Sequence, residues 1–249
     1  MKQTKLLMGM PITVEVVDPN VKDSDINKIF NYFISVDKRF STYKPESEIS
    51  LINRGKITPA DYSSDMKTVL ALCEETKKQT NGYFDISKDG KLDPSGLVKG
   101  WAILNAAEIL KQSGFKNYYI EAGGDVQVSG KNEQGQAWQV GIKNPFNQKE
   151  IVKVVCLNQG EGIATSGSYI RGQHIYNPKN PADELADIVS LTVIAPNVYS
   201  ADRFATPAFA MGKNGIYFLE QLPGLEAYAI DKNGMATMTS NLEKYIKGN

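Results

Sequence analysis

Three short stretches carry residue types that could do chemistry. In Asp93-Pro94-Ser95-Gly96-Leu97-Val98-Lys99-Gly100 a turn runs into a helix start, where free backbone N–H groups and the positive end of the helix dipole favour an anion. Lys99, one turn in, adds a full positive charge, so a phosphate suits the place, and Asp93 is an acceptor that could read an amine edge of a base. In Tyr199-Ser200-Ala201-Asp202-Arg203-Phe204-Ala205-Thr206, Asp202 and Thr206 stand at i and i+4 and share one side of a helix. A carboxylate beside a hydroxyl offers hard oxygen ligands. These suit Mg²⁺, which keeps several waters and shares its coordination with substrate phosphates. In the third stretch, Thr165-Ser166-Gly167-Ser168-Tyr169 precedes His174-Ile175-Tyr176-Asn177-Pro178, and His174 is the only histidine. Any step that needs a base near neutral pH has it as the obvious candidate. Each stretch also has a plainer reading. Asp-Pro-Ser-Gly is ordinary turn chemistry with Lys99 a solvated helix residue, Asp202 in a first helical turn stabilises the dipole, and a lone histidine is more often structural. Taken singly, the plainer readings stay open.

Several other chemistries are absent from the sequence. Ser166 sits in no Gly-x-Ser-x-Gly pattern and has no second histidine, which disfavours a serine hydrolase. Gly123-Gly124-Asp125 follows a strand, but a strand comes next and no Gly-x-Gly-x-x-Gly exists, so a dinucleotide turn fails. There is no Walker A sequence, Cys-x-x-Cys or His-Glu-x-x-His. The 28 Lys and Arg balance the 28 Asp and Glu, so no overall field draws the chain to nucleic acid or anionic lipid. The apolar run 6–14 is too short to span a bilayer. It is followed by no small-residue cleavage site or lipobox cysteine, which gives the expectation of a cytoplasmic protein. Cys73 and Cys156 lie far apart and read as reduced core residues.

These stretches need elements to hold them. Residues 6–17 alternate like one strand. A helix opens at Ser24 with Ile26, Ile29, Phe30, Phe33 and Ile34 on one face. Further helices are predicted over about 64–80, 97–113, 198–211 and 216–221. Strands are predicted over 118–122, 125–128, 138–142, 152–157, 162–165 and 189–194, with a final hairpin turning at Asn233-Gly234. Helices and antiparallel strands are largely segregated, which predicts an α+β fold with an antiparallel sheet core. The 249 residues suit one domain, 1–249.

In order, the motifs resemble the ApbE family of FAD:protein FMN transferases. The resemblance runs through Met8-Gly9, Phe40-Ser41-Thr42-Tyr43, Ser47-Glu48-Ile49-Ser50 with Asn53, and Tyr83-Phe84-Asp85. It continues with the Asp93 to Gly100 stretch, Gly123-Gly124-Asp125, and Trp138 to Ile142 ahead of Pro145. It closes with Thr165 to Tyr169, His174 to Pro178, and Ala201-Asp202 to Thr206 with Met211-Gly212. The resemblance implies a Mg²⁺-dependent enzyme that moves FMN from FAD onto a Ser or Thr hydroxyl of an acceptor flavoprotein, releasing AMP. It implies FAD contacts at Met8, Tyr43, Tyr83, Phe84, Asp85, Asp93, Lys99 and Ile175. It places Mg²⁺ at Asp202 and Thr206, helped by carbonyls near Gly96 and Ala205, and catalysis at His174. Alternatives within reach are an FAD pyrophosphatase and a non-catalytic flavin-binding protein. Tyr43 could stack on a ring or be an ordinary core tyrosine. The chain departs from the family pattern twice. Only seven residues separate Asp85 from Asp93, where many members carry a long insert. The usual His-Ile-Ile-Asp-Pro-x-Thr-Gly reads His174-Ile175-Tyr176-Asn177-Pro178-Lys179-Asn180-Pro181.

Overall fold

A computed structural model describes residues 1–168, 175–180, 182, 185 and 187–246. The run 6–17, expected as one strand, is the middle of a hairpin. Strands β1 (Lys2–Leu7) and β2 (Met10–Val16) pair antiparallel around a two-residue turn. Met8 and Gly9 both have positive φ, 53° and 73°, the turn whose twist matches that of paired strands. Apolar residues continue across this turn, so nothing but Gly9 marks it in the sequence.

Helix α1 (Asp23–Phe40) follows, with Asp23 and Asp25 in its first turn and Lys38 and Arg39 in its last, the arrangement that suits the helix dipole. It buries Ile26, Ile29, Phe30, Phe33, Val36 and Phe40; Ile34 lies off that stripe and is exposed. A short α2 (Glu48–Asn53), not predicted from the sequence, follows. Helix α3 (Ser64–Gln79) starts at Ser63, whose Oγ accepts the Met66 N–H at 3.2 Å. A minimal hairpin, β3 (Ser87–Lys88) and β4 (Lys91–Leu92), then leads into α4 (Ser95–Gln112).

The second half supplies β5 (Tyr118–Ala122), β6 (Asp125–Ser129), β7 (Trp138–Asn144), β8 (Asn147–Leu157), β9 (Gly162–Gly167) and β10 (Ile188–Ala195). Helices α5 (Val198–Ala210) and α6 (Asn214–Glu220) and the strands β11 (Glu226–Asp231) and β12 (Ala236–Met238) complete it. Eight strands form one sheet in the order β1-β2-β5-β6-β9-β10-β11-β12, antiparallel at every pairing. The α+β expectation holds.

Both faces of the sheet's second half are covered. The β7–β8 hairpin packs Trp138, Val140, Val155 and Leu157 against Val126, Val128 and Ile163. The opposite face carries α5 and α6 through Leu191, Val193, Phe204, Ala208 and Phe209. Helices α1, α3 and α4 bury Phe30, Phe33, Met66, Leu97 and Ile103 against Ile12, Val14 and Ile120. Because β6 turns Val126 and Val128 to the hairpin, strand alternation sends Asp125 and Gln127 to the helical side. Cys73 is buried as expected, whereas Cys156 is only half-buried on β8, and both are free thiols. Among the described residues, no helix is long and apolar enough to cross a membrane.

Candidate functional site

The site is built on the crossing of α4 and α5. Gly100 on α4 faces Asp202 on α5: a Cβ added at Gly100 would lie 2.6 Å from Asp202 Cβ and 2.9 Å from the Val198 carbonyl oxygen. One turn earlier Gly96 faces Thr206, its added Cβ 3.6 Å from Thr206 Cγ2. This close approach lets the Gly100 N–H donate to Asp202 Oδ2 at 2.7 Å. In a regular helix that N–H would go to the Gly96 carbonyl. The carboxylate competes for it, which leaves the carbonyl with acceptor capacity.

Helix α5 is itself tied down at its start. Asn197 Oδ1 accepts the Ser200 N–H and Gln127 Oε1 accepts the Val198 N–H, each at 2.8 Å. Gly162 on β9 lies so close that its added Cβ would fall 1.9 Å from Val198 N. The position of Asp202 therefore follows from a glycine on each neighbouring element and two side-chain caps.

Charge at the crossing is concentrated and dry. Asp202 is 4 % exposed and Asp125 1 %. Lys99 Nζ lies 2.7 Å from Asp125 Oδ2 and 3.8 Å from Asp202 Oδ1. Burial pushes the Asp202 carboxyl well above the ordinary carboxylate range; the Lys99 ammonium and the Gly100 N–H pull it back, and Asp125 raises it further. Lys99 is thus no solvated helix residue, since its side chain is 20 % exposed and held by two acids.

A cavity of about 370 Å³ opens beside this crossing, and Gly96, Lys99, Asp202 and Thr206 line its floor. Met8, from the β1–β2 turn, and Tyr83, Phe84 and Asp85, from the segment after α3, line it as well, as do Asp93 and Ile175. Tyr43 stands at the rim and is 96 % exposed, so the reading of it as a core residue is overturned. Ala205 is fully buried between α5 and the sheet and does not line the cavity, so only its carbonyl could serve a ligand. His174 lies outside the described residues.

The helix start at Ser95 is less open to an anion than its sequence suggests. Asp93 Oδ1 accepts the Ser95 N–H at 3.0 Å, and the Leu97 and Val98 N–H groups both turn back to the Pro94 carbonyl at 3.0 Å. Lys99, one turn further on, lines the cavity.

The Tyr83-Phe84-Asp85 wall is held from three sides. Thr80 Oγ1 accepts the Phe84 N–H at 3.1 Å, Lys77 pairs with Asp85 at 2.8 Å, and the Tyr176 hydroxyl donates to the Asp85 carbonyl at 3.0 Å. Burial raises the Asp85 carboxyl, but Lys77 and the Ser87 N–H outweigh it and hold it below the usual range. The short β3–β4 hairpin places Lys88 over the Tyr176 ring at 4.5 Å, and Lys179 lies over Tyr83 at 4.8 Å. Asn177 is buried and its Oδ1 accepts the Lys179 N–H at 3.0 Å, so the residue that replaces the family's acid shapes a turn.

Four participants went unassigned in the sequence: Asp125, Gln127, Tyr176 and Ser166, whose Oγ lies 3.5 Å from Thr206 Oγ1. The signal for Asp125 was present. Gly123 and Gly124 have φ of 59° and 96°, a two-residue hairpin turn. That turn makes Asp125 the first residue of β6, beside Gly123 on the cavity wall.

The donor set fits a hard divalent cation. The cavity floor carries the buried Asp202 carboxylate, the Thr206 hydroxyl with the Ser166 hydroxyl 3.5 Å from it, and Gly96 with its backbone carbonyl. Among the described residues no group of three or more His, Cys, Asp or Glu side chains could hold an ion. Among the described residues this donor set is one of hard oxygens, unlike the nitrogen and sulfur ligands typical of zinc. It suits Mg²⁺ shared with phosphate oxygens and water.

Known proteins supply independent observations. A family model described as the ApbE family matches residues 8–90 and 87–229. A Haemophilus influenzae protein named FAD:protein FMN transferase is 26 % identical over 85 % of this chain and 80 % of its own length. A Salmonella typhimurium protein of the same name is 31 % identical, over 57 % of this chain and 43 % of its own length. Among solved structures, the flavin transferase ApbE from Vibrio cholerae superposes with a TM-score of 0.86 at 21 % identity, covering 98 % of both chains. The ApbE protein from Thermotoga maritima gives 0.87 at 19 %, again over 98 % of both. The structural likenesses speak for the fold, and the family model, which spans residues 8–229 and with them every motif around the cavity, speaks for descent: the chain belongs to the ApbE family.

Proposed function

We propose that residues 1–249 act as one flavin-transferase domain, moving FMN from FAD onto a Ser or Thr hydroxyl of an acceptor flavoprotein with Mg²⁺ and releasing AMP. The observation that carries this reading is the gathering of Met8, Tyr83, Phe84, Asp85, Asp93, Lys99 and Asp202 around one cavity in a chain of the ApbE family. The acceptor oxygen attacks the FMN-side phosphorus of the diphosphate, a phosphoester bond forms, and the bridging oxygen leaves with AMP. Such transfer needs positioning and charge neutralisation more than covalent participation by the protein. Mg²⁺, held by Asp202, Thr206 and the Gly96 carbonyl, would supply the neutralising charge. Lys99 faces the diphosphate as a point charge, and the 83–85 wall with Met8 encloses the flavin nucleotide. His174 accepts the proton of the attacking hydroxyl, a contribution of typically ~10²–10⁴-fold.

Incubation with FAD, Mg²⁺ and a flavinylation-competent acceptor tests the reading. In-gel flavin fluorescence on the denatured acceptor is expected, with one AMP released per flavin attached. AMP release that ignores the acceptor would make the enzyme a pyrophosphatase, and tight FAD binding without AMP would make it a binding protein. His174→Ala should spare FAD binding and slow transfer by at least about 100-fold; loss of FAD affinity would contradict a catalytic role.

Two wall residues allow sharper tests. Met8 occupies the left-handed region at φ 53°, where a side chain of its kind costs roughly 1 kcal/mol and Asn is tolerated. Met8→Asn is therefore expected to raise Tm by about 2–4 °C while weakening FAD binding several-fold; a rise in both would show that Met8 has no part in the site. Tyr176→Phe removes the bond to the Asp85 carbonyl, worth about 0.5–1.5 kcal/mol. The KM for FAD should rise roughly 2–12-fold with kcat nearly unchanged, and a fall in kcat at constant KM would place Tyr176 elsewhere in the mechanism.

A further inference from the structure

Among the described residues, Asp125 is a buried acid beside the site with no role in the reaction above. It follows the Gly123-Gly124 turn, is 1 % exposed, and is fixed by the β6 ladder and by the Thr165 N–H, which donates to its Oδ1 at 3.2 Å. Its other oxygen meets Lys99 Nζ at 2.7 Å, while Asp202 Oδ1 lies 3.8 Å from the same ammonium. Two carboxylates thus share one lysine, and the nearer, stronger hold belongs to Asp125.

We propose that Asp125 is a positioning residue that parks the Lys99 ammonium away from Asp202, so that the α4–α5 crossing accepts a divalent cation instead of closing into a lysine–aspartate pair. The inference rests on the metal reading given under the proposed function. Its physical basis is competition. A lysine ammonium on a flexible four-carbon stem and a metal ion seek the same buried carboxylate, and a buried acid takes whichever cation reaches it, because leaving it unpaired is costly. The three side chains set one ammonium between two acids. With the Asp125 carboxylate removed, Asp202 still stands beside the Lys99 ammonium, and a metal must displace the lysine. With the Asp125 carboxylate in place, Lys99 has a partner 2.7 Å away, and it remains beside the cavity where the diphosphate would be read. Gly-Gly before Asp125 serves the same end, since the tight turn sets Asp125 two residues behind Gly123, which lines the cavity.

The test is a double-mutant cycle on Mn²⁺ affinity without FAD, read by the electron paramagnetic resonance of free Mn²⁺. The proteins compared are native, Asp125→Asn, Lys99→Met and the double variant. Asparagine keeps the shape of the side chain and its acceptor for Thr165, and near-ultraviolet circular dichroism reports whether the fold survives. Asp125→Asn is expected to weaken Mn²⁺ binding at least about tenfold. Lys99→Met should bind Mn²⁺ at least as tightly as the native protein. In the Lys99→Met background, Asp125→Asn should change affinity by less than about threefold, because the competitor is gone. An equal loss in both backgrounds would overturn the proposal and make Asp125 a ligand or plain counter-charge. No loss in either background would overturn it also. If Asp125→Asn does not fold, the Lys99→Met arm decides by itself: binding weaker than native would show that Lys99 does not compete. Absence of Mn²⁺ binding by the native protein would remove the metal reading, and the parking role with it.

Discussion

Asp202→Asn is expected to lower Mg²⁺-dependent AMP release from FAD by at least ~10³-fold, since several kcal/mol of charge stabilisation depend on the ion it would hold, each ~1.4 kcal/mol being a factor of ten. Among the described residues that line the cavity, Asp202 is the carboxylate at the α4–α5 crossing, one turn from where Gly96 faces Thr206, and Asn retains the acceptor for the Gly100 N–H. The loss should therefore come without unfolding. Tm is expected to stay within a few degrees of the native value or to rise, because a buried charge is given up. FAD titrated without metal should bind nearly as before. The check is chromatographic AMP release beside a thermal melt. Activity within tenfold of native would place the metal elsewhere.

Gly100→Ala is expected to damage stability and activity together. The added methyl would stand 2.6 Å from Asp202 Cβ and 2.9 Å from the Val198 carbonyl oxygen, and neither neighbour can swing away, one being a Cβ and the other backbone. The helices must separate, at an overpacking cost of about 1–3 kcal/mol, which corresponds to a fall in Tm of roughly 2–12 °C for a chain of this size. Separation also breaks the Gly100–Asp202 bond and shifts the carboxylate away from Gly96 and Thr206, so turnover should fall more steeply than stability. Gly96→Ala is the companion measurement. Its nearest obstacle is Phe84 Cε2 at 3.3 Å, a side-chain atom, so the fold should tolerate it while metal binding suffers from the crowding. Equal melting temperatures for native protein and Gly100→Ala would contradict the close crossing.

What was legible in the sequence was what local patterns carry. The long helices announce themselves by apolar residues at helical spacing, and the β5–β6 and β11–β12 hairpins by Gly-Gly and Asn-Gly. The Met8-Gly9 turn did not, because a methionine in the left-handed region is an exception that no propensity favours and the apolar run passes straight over it. The motif residues themselves could be gathered by their order along the chain. Their physical roles could not. Gly96 and Gly100 read as a phosphate-binding turn, whereas they thin one face of α4 so that α5 can approach. Asp93 reads as a ligand-facing acid, whereas one of its oxygens caps the helix start. The bond from Gly100 to Asp202 spans 102 residues, and the pairing of Lys99 with Asp125 needs the β5–β6 turn placed against α4. Contacts of that range depend on the stacking of elements, and no window along the sequence contains both partners. The two departures from the family pattern likewise make sense only together, since the shortened β3–β4 hairpin brings Lys88 over Tyr176 and Tyr176 in turn fastens the Asp85 wall.

Crystals soaked with FAD and Mn²⁺ give the most direct test, read by anomalous scattering at the manganese edge. A single peak at coordination distance from Asp202 and Thr206 Oγ1, touching the diphosphate oxygens of the nucleotide, is the predicted result. A diphosphate bound in the cavity with the manganese peak elsewhere, or with Lys99 and Asp202 closed into a direct pair and no peak between them, would contradict it.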